Sequence, residues 1–509
     1  MNTAALPIRW GKVIDHSRCI GCHACTTACK SENDVPLSVS RTYVKYVDVG
    51  VFPAARRTFQ VTRCNQCEGA PCVTACPTSA MYRRADGIVD FDKSVCIGCK
   101  ACIAACPYDA IFINPRDHAA EKCNFCAHRI DIGLEPSCVV VCPTQAIIVG
   151  DLNDASSKVA EVVYRDVVAV RRPEKETGPK LFYKGAHEAT LDPLAARRPD
   201  GGLFMWSEQA GPQPSAKHVT SGQPRHGSSS AAALLSYDVP HMAPWDWRVS
   251  LYTWTKGIAA GVYLVPALLV IFGLLSFESV IWRIVAPVLG GAFLAATGAL
   301  LVWDLAQPTR FYLIFTRPQW KSWLVRGAVI IAAYSAVLLM HFIASLAGAS
   351  SVPPALMVAG LPLSVMAAVY TAYLFAQAKA RDLWQNPLLP PHLAVQALLA
   401  GSAALVPFAI WLDPGTAPAL LRLLAAGSLL HLLMVWGETT VTHGTAHARL
   451  AAREMTNGTY GRYFQSGVAL VAIALFAPWI GGWAIPAALA GLLAHEHAYV
   501  QAGQSVPLA

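Results

Sequence analysis

From about Leu251 onward polar positions become sparse, and the chain reads as a succession of apolar runs at approximately 251–277, 281–303, 323–349, 354–378, 393–412, 417–437, 464–480 and 483–503. About 20 helical residues suffice to cross a hydrocarbon core. A large soluble helical core would need polar faces that these runs lack. The pattern therefore predicts an all-α bundle of eight transmembrane helices over residues 246–509. Its last two members are the least regular: "FQSGVALVAIALFAPWI" is short, and "WAIPAALAGLLAHEHAYV" carries charge near its end. Ahead of the bundle, residues 171–245 are rich in Pro, Gly, Ser and charge ("RRPEKETGPK", "AGPQPSAKH", "SGQPRHGSSS") and predict a linker, slack or draped over a partner subunit. Residues 1–170 form a third, different region.

Composition sharpens that division. The chain is 54% hydrophobic and only 14% charged, too apolar for an average soluble protein. All 16 cysteines fall between Cys19 and Cys142, so the thiols belong to the first region. The opening residues contain neither an apolar export run nor a twin-arginine pair, so the thiols are expected to stay in a reducing compartment and to serve as metal ligands.

The spacing says which metal. The first group is "RCIGCHACTTACKSEND", with Cys19, Cys22, Cys25 and Cys29. Cys64, Cys67, Cys72 and Cys76 make the second, and Cys96, Cys99, Cys102 and Cys106 the third. In the fourth, Cys123 and Cys126 are separated by a longer insert from Cys138 and Cys142. Zinc takes two separated pairs around one tetrahedral ion. Here three groups bring a third thiol within a few residues and a fourth at x3, the pattern of iron–sulfur ligation in which the fourth cysteine serves a neighbouring cluster. Pro77, Pro107 and Pro143 follow the fourth cysteines as that pattern expects, and Lys30 departs from it without altering the spacing. Sixteen thiolates predict four [4Fe–4S] clusters, with neither a three-iron nor a Rieske centre. Four such groups suit a chain of one-electron relays.

With these motifs, residues 10 to about 170 resemble the four-cluster ferredoxin subunit of the DMSO reductase and polysulfide reductase families, including the x4 spacing in the second group. The resemblance implies an α+β ferredoxin-like domain and a ligand pairing. One cluster would take Cys19, Cys22, Cys25 and Cys142, and its partner Cys29, Cys123, Cys126 and Cys138. The other two would take Cys64, Cys67, Cys72 with Cys106, and Cys96, Cys99, Cys102 with Cys76. The membrane half resembles NrfD and polysulfide-reductase membrane subunits through "WTKGIAAGVYLVPALL", "WDLAQPTRFYLIF", "SWLVRGA" and "YTAYLF". That likeness implies quinone or quinol binding without haem, and a large molybdenum or tungsten bis-pterin (molybdopterin-type) catalytic subunit docked on the iron–sulfur domain. A cytoplasmic catalytic face would resemble complexes that oxidise sulfite or aryl-acetyl thioesters.

Loop charge orients the bundle. Eight spans put both termini on one side, and that side carries Arg248, Lys256, Arg310, Arg317, Lys321, Arg326, Lys379, Arg381, Arg449, Arg453 and Arg462 against Arg283 and Arg422 opposite. The asymmetry predicts a cytoplasmic (inner) membrane protein with its iron–sulfur domain in the cytoplasm. A quinone site needs proton-active groups in an apolar cleft. By the assigned directions Tyr370, His431, Asp304, Glu438 and Lys256 fall in the cytoplasmic third, with Tyr370 and His431 best suited to contact quinone and Asp304 able to pair with Arg310. His241, Trp245 and Trp247 precede the first span on the same side, the tryptophans as interfacial belt residues. Haem needs two axial ligands at one depth. His341 and His431 differ in depth by on the order of 10 Å, which predicts no haem.

No phosphate loop, dinucleotide fingerprint or nucleophile triad is present, and the net charge of +8 follows membrane topology rather than nucleic-acid binding. The chain is thus expected to move electrons while substrate chemistry occurs elsewhere. Three other readings compete: a redox-driven proton-translocating module, a passive anchor, and the electron-transfer subunit of a hydrogenase or multihaem cytochrome complex. Apart from Glu278, His341, Asp413 and Arg422 the far half of the membrane region is nearly free of ionisable residues, which argues against a pump.

Overall fold

The computed structural model describes residues 7–50, 53–197, 233–349 and 352–508. Its strands are β1 (Trp10–Asp15), β2 (Thr42–Val49), β3 (Arg56–Arg63), β4 (Met81–Arg83), β5 (Val89–Phe91), β6 (Ile111–Ile113), β7 (Ala120–Lys122), β8 (Ile147–Asp151), β9 (Val168–Ala169), β10 (Leu181–Lys184) and β11 (Ala233–Tyr237). A four-stranded sheet of order β8-β1-β10-β9 has β1 antiparallel to β8 and parallel to β10, with Val13 and Ile14 fully buried. Around it the sequence uses one device twice. The short helix Pro71–Ala75 leads to the hairpin β4–β5, and the short helix Ala101–Ala105 leads to β6–β7, each helix carrying one cysteine and ending at the next. Five-residue helices are not stable by themselves. These persist because all five residues of the second and three of the first, Pro71, Cys72 and Ala75, are buried against the thiol-lined core.

Part of the expected linker belongs to this domain. β10 lies beside β1, and β11 adds to the β2–β3 hairpin to give the order β11-β2-β3. The signal was short: in "LFYK" only Leu181 and Tyr183 turn inward, and the polar residues on either side dominate the local composition. Arg171 is buried and donates to the Leu508 carbonyl at 2.8 Å, tying this segment to the far end of the chain. The expected linker residues 198–232 lie outside the described residues.

Among the described residues, seven helices are long and apolar enough to cross a membrane: Trp247–Ile271, Ile281–Trp303, Trp323–Leu346, Pro354–Gln377, Leu389–Leu412, Ala417–Thr440 and Ala477–Ser505. The run expected over 464–480 is instead a 14-residue helix, Gly461–Ala474, then a turn and the short helix Ala477–Ile480. At 1.5 Å per residue the longer piece rises about 21 Å, short of a hydrocarbon core of about 30 Å. The first span is the hub: 78% of its apolar window is buried, against 33% for the second and third. It meets the fifth span backbone to backbone, since a Cβ on Gly261 would stand 1.9 Å from the Ala397 oxygen, a contact open only to glycine. The outer faces expose Leu339, Leu429, Leu433 and Trp436, too much apolar surface for water, and Trp411, Trp479 and Trp483 stand exposed at one end of the bundle as an aromatic belt.

The two halves are closely joined at the other end. Ser322 Oγ donates to the Ala75 carbonyl at 2.8 Å, Gln319 N to the Pro77 carbonyl at 2.8 Å, and Arg310 Nη1 to the carbonyls of Lys93 and Cys96 at 2.8 and 3.1 Å. His241 sits in the same junction between Asp109 and Asp238, its Nε2 3.2 Å from the latter. Burial pulls its pKa down, but the Asp238 and Asp109 carboxylates outweigh that and hold it up at about 9. A raised pKa means that the charged form stabilises fully below the ordinary value of about 6.5 and that this stability is lost as pH rises through about 9. The junction is therefore expected to lose on the order of 3 kcal/mol between pH 6.5 and 9.5. Thermal unfolding across that range should show the decline in the wild type, and His241→Gln should flatten it; an unchanged slope in the variant would assign the pH dependence to other groups.

Candidate iron–sulfur relay and membrane redox groups

The thiols gather in sets that cross the sequence groups. One cavity is lined by Cys19, Cys22, Cys25 and Cys142 together with Val44 and Val61. A second is lined by Cys76, Cys96, Cys99 and Cys102. Cys29 lies among Cys123, Cys138 and Cys126, and Asn33 Nδ2 reaches the sulfurs of both Cys29 (3.7 Å) and Cys126 (3.8 Å). Cys72 lies among Cys64, Cys106 and Cys67. In each set the x3 cysteine of one group joins the first three thiols of another, and all 16 sulfurs are free of disulfides.

Burial pushes the Cys29 thiol up to about 12, with Cys123, Cys138 and Cys126 adding to it; Cys25 and Cys67 are pushed up to about 11 by burial and by their neighbours Cys138 and Cys64. Four crowded, dry thiols that resist ionisation alone suit a polynuclear metal centre, whose positive charge reverses that preference. Backbone amides point at the sulfurs: Met81 N to Cys76 at 3.3 Å, Ala120 N to Cys96 at 3.3 Å and Ala146 N to Cys142 at 3.2 Å. Amide–sulfur bonds of this kind stabilise the reduced, more negative state of an iron–sulfur centre. The donor sets, the cavities they enclose and these amides fit [4Fe–4S] ligation.

Similarity to known proteins bears on this arrangement. Residues 16–35 match the family model "4Fe-4S binding domain", residues 55–152 match "4Fe-4S dicluster domain", and residues 237–483 match "Polysulphide reductase, NrfD". The B subunit of tetrathionate reductase from Salmonella typhimurium is 40% identical over 208 residues, covering 39% of this chain and 80% of the relative. The B polypeptide of polysulfide reductase from Wolinella succinogenes is 44% identical over 177 residues (34% and 93%), and thiosulfate reductase electron transfer subunit PhsB of Salmonella typhi is 50% identical over 144 residues (28% and 75%). The chain belongs to this family of reductase iron–sulfur subunits. It differs from those relatives in carrying an NrfD domain on the same polypeptide, which makes the iron–sulfur subunit a multi-pass membrane protein.

Within this iron–sulfur subunit, Arg63 is fully buried and donates from Nη1 to Cys138 Sγ at 3.0 Å. Burial would raise the Cys138 pKa, yet Lys12 and Arg63 pull it below the usual thiol value. A charge-assisted bond of roughly 1.5–3 kcal/mol is stronger to the reduced centre. Arg63→Gln is expected to lower the potential of the centre at Cys138 by about 50–100 mV, with iron content unchanged. Redox titration followed by EPR reads the shift; an unmoved potential would show that the contact only packs.

The five residues expected at a quinone site separate into three places. Asp304 caps the second span and pairs with Lys100 of the third cysteine group at 3.0 Å and with Arg248 at 3.7 Å, rather than with Arg310, which is engaged by Lys93 and Cys96. Its partner lies 204 positions away in sequence, beyond any local reading. Lys256 and Tyr370 come together. The Lys256 amine is buried, donates to the Ala368 carbonyl (2.6 Å) and to Thr371 Oγ1 (2.8 Å), and sits 4.8 Å from the Tyr370 ring centre, so it does not snorkel. Tyr370 fills the space above Gly327, where a Cβ would stand 2.3 Å from the ring. His431 and Glu438 join His392 in a third place.

Trp245 is not a belt residue. It is buried and packs 5.4 and 5.9 Å from Trp384 and Phe375, which stack on each other at 4.6 Å, with Nε1 donating to the Cys99 carbonyl at 3.2 Å. Its aromatic neighbours come from a distant loop and span, so the packing site was invisible locally. Trp247, by contrast, is half exposed. The buried polar residues His392, Gln396, His495 and Glu496 line one cavity with Thr253 and Thr371 and were missed altogether. The signal existed: "HEH" interrupts the last apolar run, and ionisable residues inside such a run are functional candidates by default.

Proposed function

We propose that this protein is the electron-transfer and membrane subunit of a quinone-linked molybdenum or tungsten bis-pterin oxidoreductase. In this reading it carries four [4Fe–4S] clusters and eight spans, with its iron–sulfur domain in the cytoplasm. The bound clusters would supply one-electron carriage between the four thiol sets.

The observation that carries the reading is the thiol set of Cys76, Cys96, Cys99 and Cys102, which abuts the membrane half directly. Ile97 packs with Val325 and Ile314, and Gly98, with φ +68°, leaves no room for a Cβ, which would stand 2.5 Å from the Ala306 methyl. Two residues beyond Val325, Gly327 seats Tyr370, whose ring meets the Lys256 amine. Lys256 and Tyr370 hold proton-donating groups in an apolar surround, linked to that thiol set through the third span, as quinone reduction requires. Glu438 and His431, expected in the same role, sit with His392, whose cavity is also lined by Thr371, the hydrogen-bond partner of Lys256. At the set of Cys19, Cys22, Cys25 and Cys142, Cys22 and Ile20 are exposed, which suits docking of a catalytic subunit and electron exchange there. The run 461–480 would complete an eighth span as a broken helix packed against Ala484–Ser505. Arg310, Arg317, Lys321, Arg326, Lys379 and Arg381 cluster on the side of the iron–sulfur domain, which supports the cytoplasmic orientation.

The test is mass spectrometry of the proteins that co-purify with this chain from gently solubilised native membranes, followed by quinol addition. A large molybdopterin-type subunit together with quinol-driven bleaching of the iron–sulfur absorbance is the expected result. Recovery with a hydrogenase or a multihaem cytochrome would overturn the molybdenum assignment, and clusters blind to quinol would overturn the quinone site.

A further inference from the structure

Three imidazoles meet inside the membrane domain: His392 from the fifth span, His431 from the sixth and His495 from the last. All three are buried, at 1%, 0% and 2% exposure, and one ring nitrogen from each lies within 4.8 Å of the others. We infer that these histidines form a divalent transition-metal site, of the zinc type, distinct from the iron–sulfur centres and independent of the quinone reading.

The second layer of contacts favours an ion. His392 Nδ1 is 3.0 Å from Glu438 Oε1, and Asn386 Nδ2 donates to the same oxygen at 3.0 Å. With a carboxylate accepting at Nδ1, the proton of His392 sits there and Nε2 presents its lone pair, the carboxylate–histidine–metal arrangement that fixes a ligand's tautomer and raises its basicity. His392 Nε2 is 2.9 Å from His431 Nδ1. Nitrogens around a tetrahedral ion with bonds of about 2.05 Å are about 3.3 Å apart, so side-chain shifts of about 1 Å close the site.

Unpartnered atoms point the same way. Among the described residues His431 Nε2 and His495 Nδ1 are buried and have no hydrogen-bond partner. A proton relay needs each nitrogen paired along its line, and buried orphans of this kind cost about 1–3 kcal/mol each. An ion ligated by His431 Nε2 and His495 Nδ1, after rotation of the rings, would take up these unpaired nitrogens and remove that penalty. Charge is met locally: Glu438 lies behind His392, and Glu496 lines the cavity onto which His392 and His495 open. Three imidazoles with a fourth side facing a cavity make an open coordination position, and imidazole donors suit zinc and its neighbours in the first transition row.

The experiment uses the full chain with its co-purifying subunits in detergent. Metal analysis against protein concentration should find one divalent ion per chain beyond cluster iron, and after chelation the site should take up added Zn²⁺ or Co²⁺, the latter with a visible tetrahedral absorption band. His431→Gln and His495→Gln should each abolish that uptake while leaving the iron–sulfur EPR signals intact. Glu438→Gln keeps all three ligands and should weaken Co²⁺ binding about 10- to 100-fold, so it carries the test even where a ligand variant fails to accumulate. A wild-type protein that holds no stoichiometric ion and takes up neither metal would overturn the site. Undiminished uptake in the His431 and His495 variants would equally overturn it, by placing the ion elsewhere.

Discussion

Lys256→Met should lower quinol-linked turnover by about 100- to 10,000-fold while iron content stays at the wild-type level. The amine is held inside the first span by two neutral oxygens, the Ala368 carbonyl and the Thr371 hydroxyl, with the Tyr370 ring beneath it. An ammonium at that depth costs roughly 2.5–3.5 kcal/mol on insertion scales, a cost that packing alone would avoid by using leucine or methionine. Methionine keeps the length and volume and removes the charge and the proton. In the proposed site the amine donates to a quinone oxygen as electrons arrive, so its loss removes proton transfer and orientation together. Tyr370→Phe should give a smaller fall, because the ring still fills the space over Gly327. The assay is quinol analogue oxidation by purified complex, paired with iron determination. Turnover unchanged in Lys256→Met would make the lysine a packing residue and move the quinone site.

Cys102→Ala is expected to remove about four iron atoms per chain and to cut electron exchange with quinone by at least about 100-fold, while the signals of the remaining centres persist. Cys102 is buried in the helix Ala101–Ala105 and shares its cavity with Cys76, Cys96 and Cys99. This is the set whose loop touches Ala306, whose Cys99 carbonyl receives Trp245, and whose Lys100 pairs with Asp304. Loss of the set opens a gap between the membrane and the rest of the relay. The two sets built on Cys19–Cys29 and Cys123–Cys142 take their thiols from different loops and keep their own amide contacts, such as Ala146 N to Cys142, whereas Cys106 of the remaining set ends the same helix as Cys102. EPR of the dithionite-reduced variant counts the surviving centres, and stopped-flow mixing with quinol measures the rate. Reduction of the surviving centres at the wild-type rate would mean that electrons enter from quinone by another face.

Some of this protein could be read one residue at a time and some could not, and the dividing line is sequence distance. The motifs at Cys19–Cys29 and Cys96–Cys106 are local, because one tight turn presents three thiols to one centre and no distant residue has to be known to see it. The apolar runs are legible for the same reason: a span must satisfy its own backbone in lipid, so its length and composition are written continuously along it. Seven of the eight expected runs correspond to helices, each overlapping its run nearly end to end. At 464–480 the run is apolar but the helix breaks after Ala474, and composition does not report where a helix turns.

Which polar groups face one another was settled only when the helices and the iron–sulfur domain packed together. Burial makes an unpaired charge or imidazole expensive, but the partner that relieves it can come from any helix brought alongside. Asp304 found Lys100 in the other domain, Trp245 found Trp384, and His431 found His392 and His495. β10 joined β1 because two inward side chains sufficed once that edge was available. The thiol ligands, the membrane character and the two-part organisation could be read from the amino acids without coordinates, since each rests on spacing or composition within one stretch of chain. Packing decided the junction, the lysine–tyrosine pair and the three-histidine cluster, since each exists only where separate stretches meet.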